Sequence, residues 1–300
     1  MPVDRSDDPD SELLVTPAVG GAVGAAGGAA APPTWPWTSV EALAEVDSTN
    51  AESLRHPRPW RLVSAQTQTQ GRGRHSRVWE SRAGASASLS MTVPMSEDPA
   101  AWGWLPLVTG LAVVEALAEV TEGRGEFFLK WPNDVLVAEP GERGPAKVCG
   151  ILCETAPSPD GGAPLVVVGV GINLAQGHDE LPVPTAGSLR TAGLPVPDAV
   201  EVVAAVARCF ARRHRQWYDG GRLPQLRADY RARCVTLGQD VEVHLPGERV
   251  ATGRAVAVAD DGEIVVESGG VRTAYAAGDV VHLRPGVRRG GGAAPGAGPA

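Results

Sequence analysis

The hydrophobic residues of this 300-residue chain fall into several short runs and two longer segments with helical spacing. Short apolar or alternating runs bounded by turn residues are typical of β-strands. We predict strands at residues 61–66, 86–93, 126–131, 135–139, 147–156 and 164–175. The last of these, PLVVVGVGINLA, is apolar almost throughout, which indicates a central strand.

Helical spacing marks two segments and the start of a third. We predict a buried helix at 102–120 and an amphipathic helix at 198–220. In DSTNAESL, Glu52 follows Thr49 by three residues, which is the spacing of a capping box. A helix therefore begins near Thr49, and a helix start of this kind can also contact an anionic ligand.

The pattern changes after Cys234. Short alternating segments at 239–245, 249–268 and 271–283 are separated by Asp-Gly and Gly-Gly turns, which predicts a small β-barrel domain over 235–284. The preceding residues, 36–232, mix strands with helices, and we expect a layered α+β domain there.

Both ends of the chain lack such patterns. Residues 1–34 are acidic and then rich in Ala, Gly and Pro, and residues 285–300 are rich in Gly, Ala and Pro. Segments with so little bulky apolar material cannot bury enough surface to fold. We therefore expect both ends to be disordered.

Composition restricts the class of protein. The net charge of −8 argues against a general nucleic-acid-binding protein. Its four cysteines form no C-x-x-C motif, so we expect reduced, mostly buried thiols rather than a zinc site or disulfides. Neither a long apolar run nor a basic N-terminus is present, which indicates no membrane span and no secretory signal. Together these features predict a cytoplasmic protein.

The segment QGRGRHSRVW, residues 70–79, concentrates Arg72, Arg74 and Arg77 among glycine and small polar residues. Such a segment is either a solvated turn or a loop that closes on an anion, because glycine lets backbone N–H groups approach and arginine supplies charged forks. We expect His75 to be solvated and Trp79 to anchor the end of the loop in the core, with a place in the wall of the ligand pocket as the alternative for Trp79.

The positions of the rare residue types favour a loop that closes on an anion. Of 27 basic residues only Lys130 and Lys147 are lysines, and only three asparagines occur, at 50, 133 and 173. All five lie in or beside polar motifs: DSTN, KWPND, KVCGILCE and GVGIN. KWPND can be a simple Asx turn, or its Asp134 can bind Mg²⁺ carried by a nucleotide. The two glycines of GVGIN allow another backbone or a ligand to approach closely.

Together these motifs predict a site for two anionic reactants. ATP and a carboxylate are the simplest pair, and attack of the carboxylate on the α-phosphate would give an acyl-adenylate. The chain has no G-x-x-x-x-G-K-[ST] motif, so a P-loop enzyme is excluded.

The segments DSTN, GRGRHSRVW, KWPND, KVCGILCE and VVVGVGINL, in this order, resemble the biotin protein ligase family over about residues 43–284. The pair GRGR…W and KWPND is specific to this family, whereas the related lipoate ligases share the catalytic fold without the pair. The resemblance implies a mixed sheet packed with helices and a C-terminal SH3-like β-barrel.

The resemblance also implies the reaction. Biotin and MgATP give biotinyl-5′-AMP and pyrophosphate, and a lysine of a biotin carboxyl carrier domain then takes the biotin as an amide. Biotin and ATP are substrates, and no tightly bound cofactor is expected. The segment 70–79, here called the arginine loop, would be mobile when empty and would close over the adenylate.

Roles follow from the resemblance residue by residue. The catalytic residues implied are Lys147, Arg72 and Arg74. Contacts to biotin are implied for Ser48, Thr49, Asn50, Gln68, Arg72, Gly73, Arg74 and Lys147. Contacts to the nucleotide are implied for Arg77, Lys130, Asn133 and Asn173, and Asp134 is implied at the Mg²⁺ of ATP.

Two departures from the family pattern matter. Ser76 stands where relatives often have glycine, and we assign it no role. The residues before VDSTN are Ala/Gly/Pro-rich, so we expect a monofunctional ligase without the DNA-binding domain that some relatives carry. The sequence does not decide between a monomer and a homodimer. A lipoate or octanoyl ligase of the same fold and a non-enzymatic biotin-binding regulator are the alternatives.

Overall fold

The computed structural model of the protein describes residues 35–79, 81–95, 98–141, 144–218, 223–276 and 278–283. The predictions of disorder for 1–34 and 285–300 lie outside the described residues.

A mixed seven-stranded sheet forms the larger layer of the fold. Its strands are β1 (Ser39–Val46), β2 (Arg61–Gln68), β3 (Ser86–Pro94), β4 (Phe127–Lys130), β5 (Asp134–Val137), β6 (Ala146–Ala156) and β7 (Leu165–Asn173). They lie in the order β1-β2-β3-β7-β6-β5-β4. The β1–β2 pair is parallel and the other pairs are antiparallel. Every residue of β7 is buried, which confirms the predicted central strand.

In the part of the chain that the structure describes, four α-helices accompany this sheet: α1 (Thr49–Arg55), α2 (Trp104–Val120), α3 (Ala199–Tyr218) and α4 (Leu223–Arg233). Helix α2 packs between the sheet and α3, and because both sides are covered its buried positions extend around most of the helix. Arg213 of α3 joins the three longer helices, since its guanidinium contacts Glu115 of α2 and Asp229 of α4. None of the helices in the described ranges has the length and apolar character needed to cross a membrane.

The C-terminal part is a five-stranded antiparallel sheet. Its strands are β8 (Asp240–Leu245), β9 (Arg249–Val258), β10 (Ile264–Ser268), β11 (Val271–Tyr275) and β12 (Asp279–His282), in the order β11-β10-β9-β8-β12. Alternating residues such as Val241 and Val243 point into its core. The predicted α+β class with a small C-terminal β-domain is therefore confirmed, while the boundaries 36–232 and 235–284 stay predictions.

Two tryptophans join the sheets. The indole Nε1 of Trp104 donates to the Asp260 carbonyl at 2.9 Å, and that of Trp131 donates to the Gly262 carbonyl at 2.9 Å. Both side chains are buried. A Cβ atom on Gly103 would overlap the Asp261 carbonyl, so the two backbones touch here. This contact brings β12 beside the arginine loop.

Candidate active site

A cavity of about 550 Å³ lies between the seven-stranded sheet and the end of β12. All thirteen residues singled out in the sequence line it: Ser48, Thr49, Asn50, Gln68, Arg72, Gly73, Arg74, Arg77, Lys130, Asn133, Asp134, Lys147 and Asn173. They come from α1 and its N-cap, five strands and two connecting segments that are distant in sequence. The structure thus brings every candidate to one site.

One end of the cavity carries uncharged polar groups. Gln68, at the end of β2, accepts from the Thr49 backbone N–H at 2.8 Å and from the Thr49 hydroxyl at 3.1 Å. The N-cap of α1 is Ser48, whose Oγ accepts from the Ala51 N–H, rather than Thr49 as the sequence spacing predicts. The Thr49 side chain is free of the cap and turns toward Gln68 and Ser90. This end of the cavity can accommodate a neutral polar ring.

Asn50 lies in the cavity wall and is almost fully enclosed, with 3% of its surface exposed. Its Oδ1 accepts from the Ser90 hydroxyl at 2.6 Å, and its Nδ2 donates to the Leu152 carbonyl at 3.3 Å and to Glu154 Oε2 at 2.8 Å. A Cβ atom on Gly169 would overlap Asn50 Oδ1. The amide therefore fastens α1 to the sheet, and the first glycine of GVGIN makes room for it.

Trp79 at the end of the loop packs on the sheet and also lines the cavity, which was the alternative expectation for it. The ring lies against β6 and β7, where a Cβ atom on Gly171 would overlap it and one on Gly150 would come within 3.1 Å. Lys147 Nζ is 5.9 Å from the ring centroid, within the range of a cation–π contact. The indole Nε1 is buried and has no protein partner.

The arginine loop is a short hairpin. The Gly73 N–H donates to the Arg77 carbonyl at 2.8 Å, the Trp79 N–H donates to the Gly71 carbonyl at 2.9 Å, and Arg72 pairs with Val78. The left-handed residue in its turn is His75, with φ of 53°. The His75 side chain is half exposed, as expected for a solvated residue.

Asp279 of β12 contacts three residues of this loop. Its carboxylate forms an ion pair with Arg77, and Oδ1 lies 3.8 Å from Arg74 Nη1 and 3.7 Å from His75 Nε2. Arg74 also donates to the Gly278 carbonyl at 3.2 Å and to Asn133 Oδ1 at 3.1 Å. Burial lowers the pKa of Arg74 from its ordinary value. Sequence reasoning missed Asp279, because it lies in the C-terminal strands and outside every motif.

The other end of the cavity is strongly cationic. Lys147 Nζ contacts Asp134 Oδ1 at 2.6 Å, and Lys130 lies on β4 opposite Asp134. Burial lowers the pKa of Lys130, and the nearby charges of Lys147 and Arg77 lower it further while Asp134 opposes them. Three cations, Lys147, Lys130 and Arg74, therefore lie near the Asp134 carboxylate, and Arg77 with its partner Asp279 lines the same cavity. The excess of positive charge is suited to a polyphosphate.

Asn173 at the end of β7 is held by the protein. Its Nδ2 donates to the Gly187 carbonyl at 2.9 Å, and its Oδ1 accepts from Gln176 at 3.3 Å. It thereby fixes the segment after β7, which closes the cavity beside Lys147 through the Lys147–Ala186 backbone bridge. Within the described residues, no three His, Cys, Asp or Glu side chains come together as a metal site.

Similarity to known proteins shows the family of this chain. Residues 43–173 match the sequence model of the biotin/lipoate A/B protein ligase family, and residues 236–283 match that of the biotin protein ligase C-terminal domain. The biotin–[acetyl-CoA-carboxylase] ligase of Mycobacterium tuberculosis is 40% identical over 255 residues, which are 83% of this chain and 90% of that protein. This chain belongs to the biotin protein ligase family.

Other biotin protein ligases extend the comparison. The biotin–[acetyl-CoA-carboxylase] ligase of Paracoccus denitrificans is 31% identical over 79% of this chain and 98% of its own length. The structure of the biotin protein ligase from Aquifex aeolicus in complex with biotin and ATP superimposes with a TM-score of 0.68 at 28% identity, covering 83% of this chain and 100% of that one. Both the family and the fold class predicted from the sequence are confirmed.

Proposed function

We propose that this protein is a biotin–[acetyl-CoA-carboxylase] ligase. It activates biotin with ATP to biotinyl-5′-AMP and transfers the biotin to a lysine of a biotin carboxyl carrier domain. The observation that carries this proposal is the convergence of all thirteen predicted site residues on one cavity with a neutral polar end and a cationic end.

Biotin occupies the neutral end in this proposal. Ser48, Thr49 and Gln68 offer hydroxyl and amide groups that can both donate and accept hydrogen bonds, which suits a cyclic urea. Trp79 supplies an apolar wall, and the unpartnered Nε1 in that wall is a free donor. Asn50 contributes through its place in the wall, because protein groups already use its polar atoms.

ATP, as its Mg²⁺ complex, occupies the cationic end. A carboxylate oxygen of biotin attacks the α-phosphorus, the bond to the bridging oxygen breaks, and pyrophosphate leaves. Negative charge grows on the phosphate oxygens in this step, and Lys147, Arg74 and Lys130 neutralise it. Arg72 and Gly73 belong to the loop that covers the reacting groups, and Arg77, Asn133 and Asn173 complete the nucleotide side.

Asp134 is the carboxylate that we assign to the Mg²⁺ of the substrate. A single protein carboxylate is sufficient for this role, because Mg²⁺ keeps several waters and takes its remaining ligands from the phosphates. The 2.6 Å contact of Asp134 with Lys147 Nζ also fixes the lysine that we place at the α-phosphate.

Transfer completes the reaction. The neutral amine of the acceptor lysine attacks the carbonyl carbon of the mixed anhydride, an amide bond forms, and AMP leaves. We place this work in the cytoplasm, supported by the four free cysteines. The net charge of −8 supports the absence of a nucleic-acid partner.

Exchange of labelled pyrophosphate into ATP tests the first step. We expect exchange that depends on biotin and not on lipoate or octanoate. Exchange that depends on lipoate would establish the lipoate ligase instead. A single-turnover assay with a purified carrier domain tests the second step, and biotin binding without pyrophosphate exchange or transfer would favour the non-enzymatic regulator.

A further inference from the structure

One carboxylate behind the cavity wall touches both structures that enclose the neutral end. Glu154 lies on β6, opposite Val167 of β7, and its side chain is 28% exposed. Its Oε2 accepts from Asn50 Nδ2 at 2.8 Å, and its Oε1 lies 3.6 Å from Arg72 Nη1. It therefore acts on the site through other residues.

The contact with Asn50 fixes the start of α1. Asn50 follows directly after Ser48 and Thr49, whose polar groups face the neutral end. Its amide is already bound to Ser90 and Leu152, and Glu154 supplies a charged acceptor, which makes a stronger hydrogen bond than a neutral one.

The contact with Arg72 fixes the start of the arginine loop. The Arg72 side chain is 50% exposed, so Glu154 restrains a side chain that otherwise reaches into solvent. The backbone of Arg72 pairs with Val78 across the hairpin, and Trp79 follows directly on the cavity wall. Restraining Arg72 therefore also restrains the position of the Trp79 ring.

We propose that Glu154 is a positioning residue for the biotin half of the site: it holds the first turn of α1 and the arginine loop at a fixed separation. This inference rests on the proposed function for what occupies that half. The cationic half has its own support, since Lys147 pairs with Asp134, and Arg77 pairs with Asp279.

Two variants separate the contacts. Glu154→Gln keeps an oxygen that can accept from Asn50 but loses the ion pair with Arg72, whereas Glu154→Ala loses both. The control is Glu267→Ala, because the Glu267 carboxylate also pairs with an arginine, Arg272 at 2.8 Å, on a part of the C-terminal sheet outside the cavity.

We expect the apparent KM for biotin in pyrophosphate exchange to rise about threefold in Glu154→Gln and about tenfold in Glu154→Ala. The KM for ATP stays within about twofold, and the control matches the wild type. An equal rise of both KM values, or a biotin KM unchanged in Glu154→Ala, overturns the proposal.

Limited trypsin digestion of the full chain without substrates gives a readout independent of activity. We expect cleavage after Arg72 to be about threefold faster or more in Glu154→Gln, and to be unchanged in Glu267→Ala. An unchanged cleavage rate in both Glu154 variants overturns the restraint on the loop. If the wild type shows no biotin-dependent exchange, the proposed function fails, and the digestion still decides whether Glu154 holds the loop.

Discussion

Replacing Asp279 by alanine should impair adenylate formation even though the residue belongs to the C-terminal sheet. The change removes the carboxylate that contacts Arg74, His75 and Arg77 at once. Arg74 keeps its hydrogen bonds to Asn133 and to the Gly278 carbonyl. The loop therefore loses some of its contacts with the rest of the protein and keeps others.

The solvent exposure of each arginine determines how much free energy its contact with Asp279 contributes. Arg77 is 62% exposed, so its pair contributes roughly 0.5 kcal/mol after solvent screening. Arg74 is 21% exposed and its interaction with Asp279 is less screened, worth about 1 kcal/mol. A total of about 1–2 kcal/mol, if it acts on the transition state, lowers kcat/KM by about 5- to 30-fold.

Pyrophosphate exchange at varied ATP and biotin measures this loss. Asp260→Ala is the matched control, because Asp260 lies in the turn between β9 and β10 of the same sheet and pairs with Arg227 at 3.1 Å, away from the cavity. It should keep wild-type kinetics, and both variants should melt within about 3 °C of the wild type, since neither side chain is in the core. A folded Asp279→Ala with kcat/KM within twofold of wild type, or an equal loss in Asp260→Ala, would refute the reasoning.

Four further outcomes are expected. Lys147→Arg changes the reach of the charge next to Asp134 and should slow adenylate formation by about 10²-fold or more, about 2.7 kcal/mol; near-normal pyrophosphate exchange contradicts it. Arg74→Gly should release adenylate and label bystander proteins more than wild type on a streptavidin blot; wild-type labelling despite adenylate synthesis contradicts it. Burial lowers the pKa of His214 from 6.5 to about 4. The unfolded chain therefore takes up the proton first, and urea titrations should show stability falling by up to about 3 kcal/mol between pH 6.5 and 4, a loss that His214→Phe reduces. Deleting residues 1–34 should leave activity within about twofold and the melting temperature little changed, and full-length protein should not bind operator-like DNA.

Elements with a strong internal pattern could be predicted from the sequence, and those defined by their neighbours could not. Helix α2 and strand β7 are apolar over most of their length, and both lie where the pattern places them. Strand β1 was not predicted, because SVEALAEV is rich in residues that favour helices and its strand conformation depends on parallel pairing with β2 at the sheet edge. Helix α4 was also missed, since Leu226 and Tyr230 are its two buried residues.

The same distinction applies to the site. Twelve of the thirteen residues lie in the five quoted motifs, whose resemblance to a known family implied their roles, and the same resemblance implied Gln68, three residues before Gly71. The roles of Glu154, which ends the motif KVCGILCE, and of Asp279 could not be predicted, because they depend on partners brought close by the fold: Asn50 lies 104 residues before Glu154 in the chain. A lone carboxylate in a strand carries no signal of such a partner.

The glycines of GVGIN show how separate motifs constrain one another. In sequence this motif is weak, since it indicates a close approach without saying what approaches. Gly169 and Gly171 are two residues apart on one strand, so they open the same face of β7. Asn50 from DSTN fills the space at Gly169, and Trp79 from the arginine loop fills the space at Gly171. A side chain at either glycine would displace α1 or the end of the loop, both of which bound the neutral end of the cavity. The three motifs therefore form one structural unit beside the proposed biotin site.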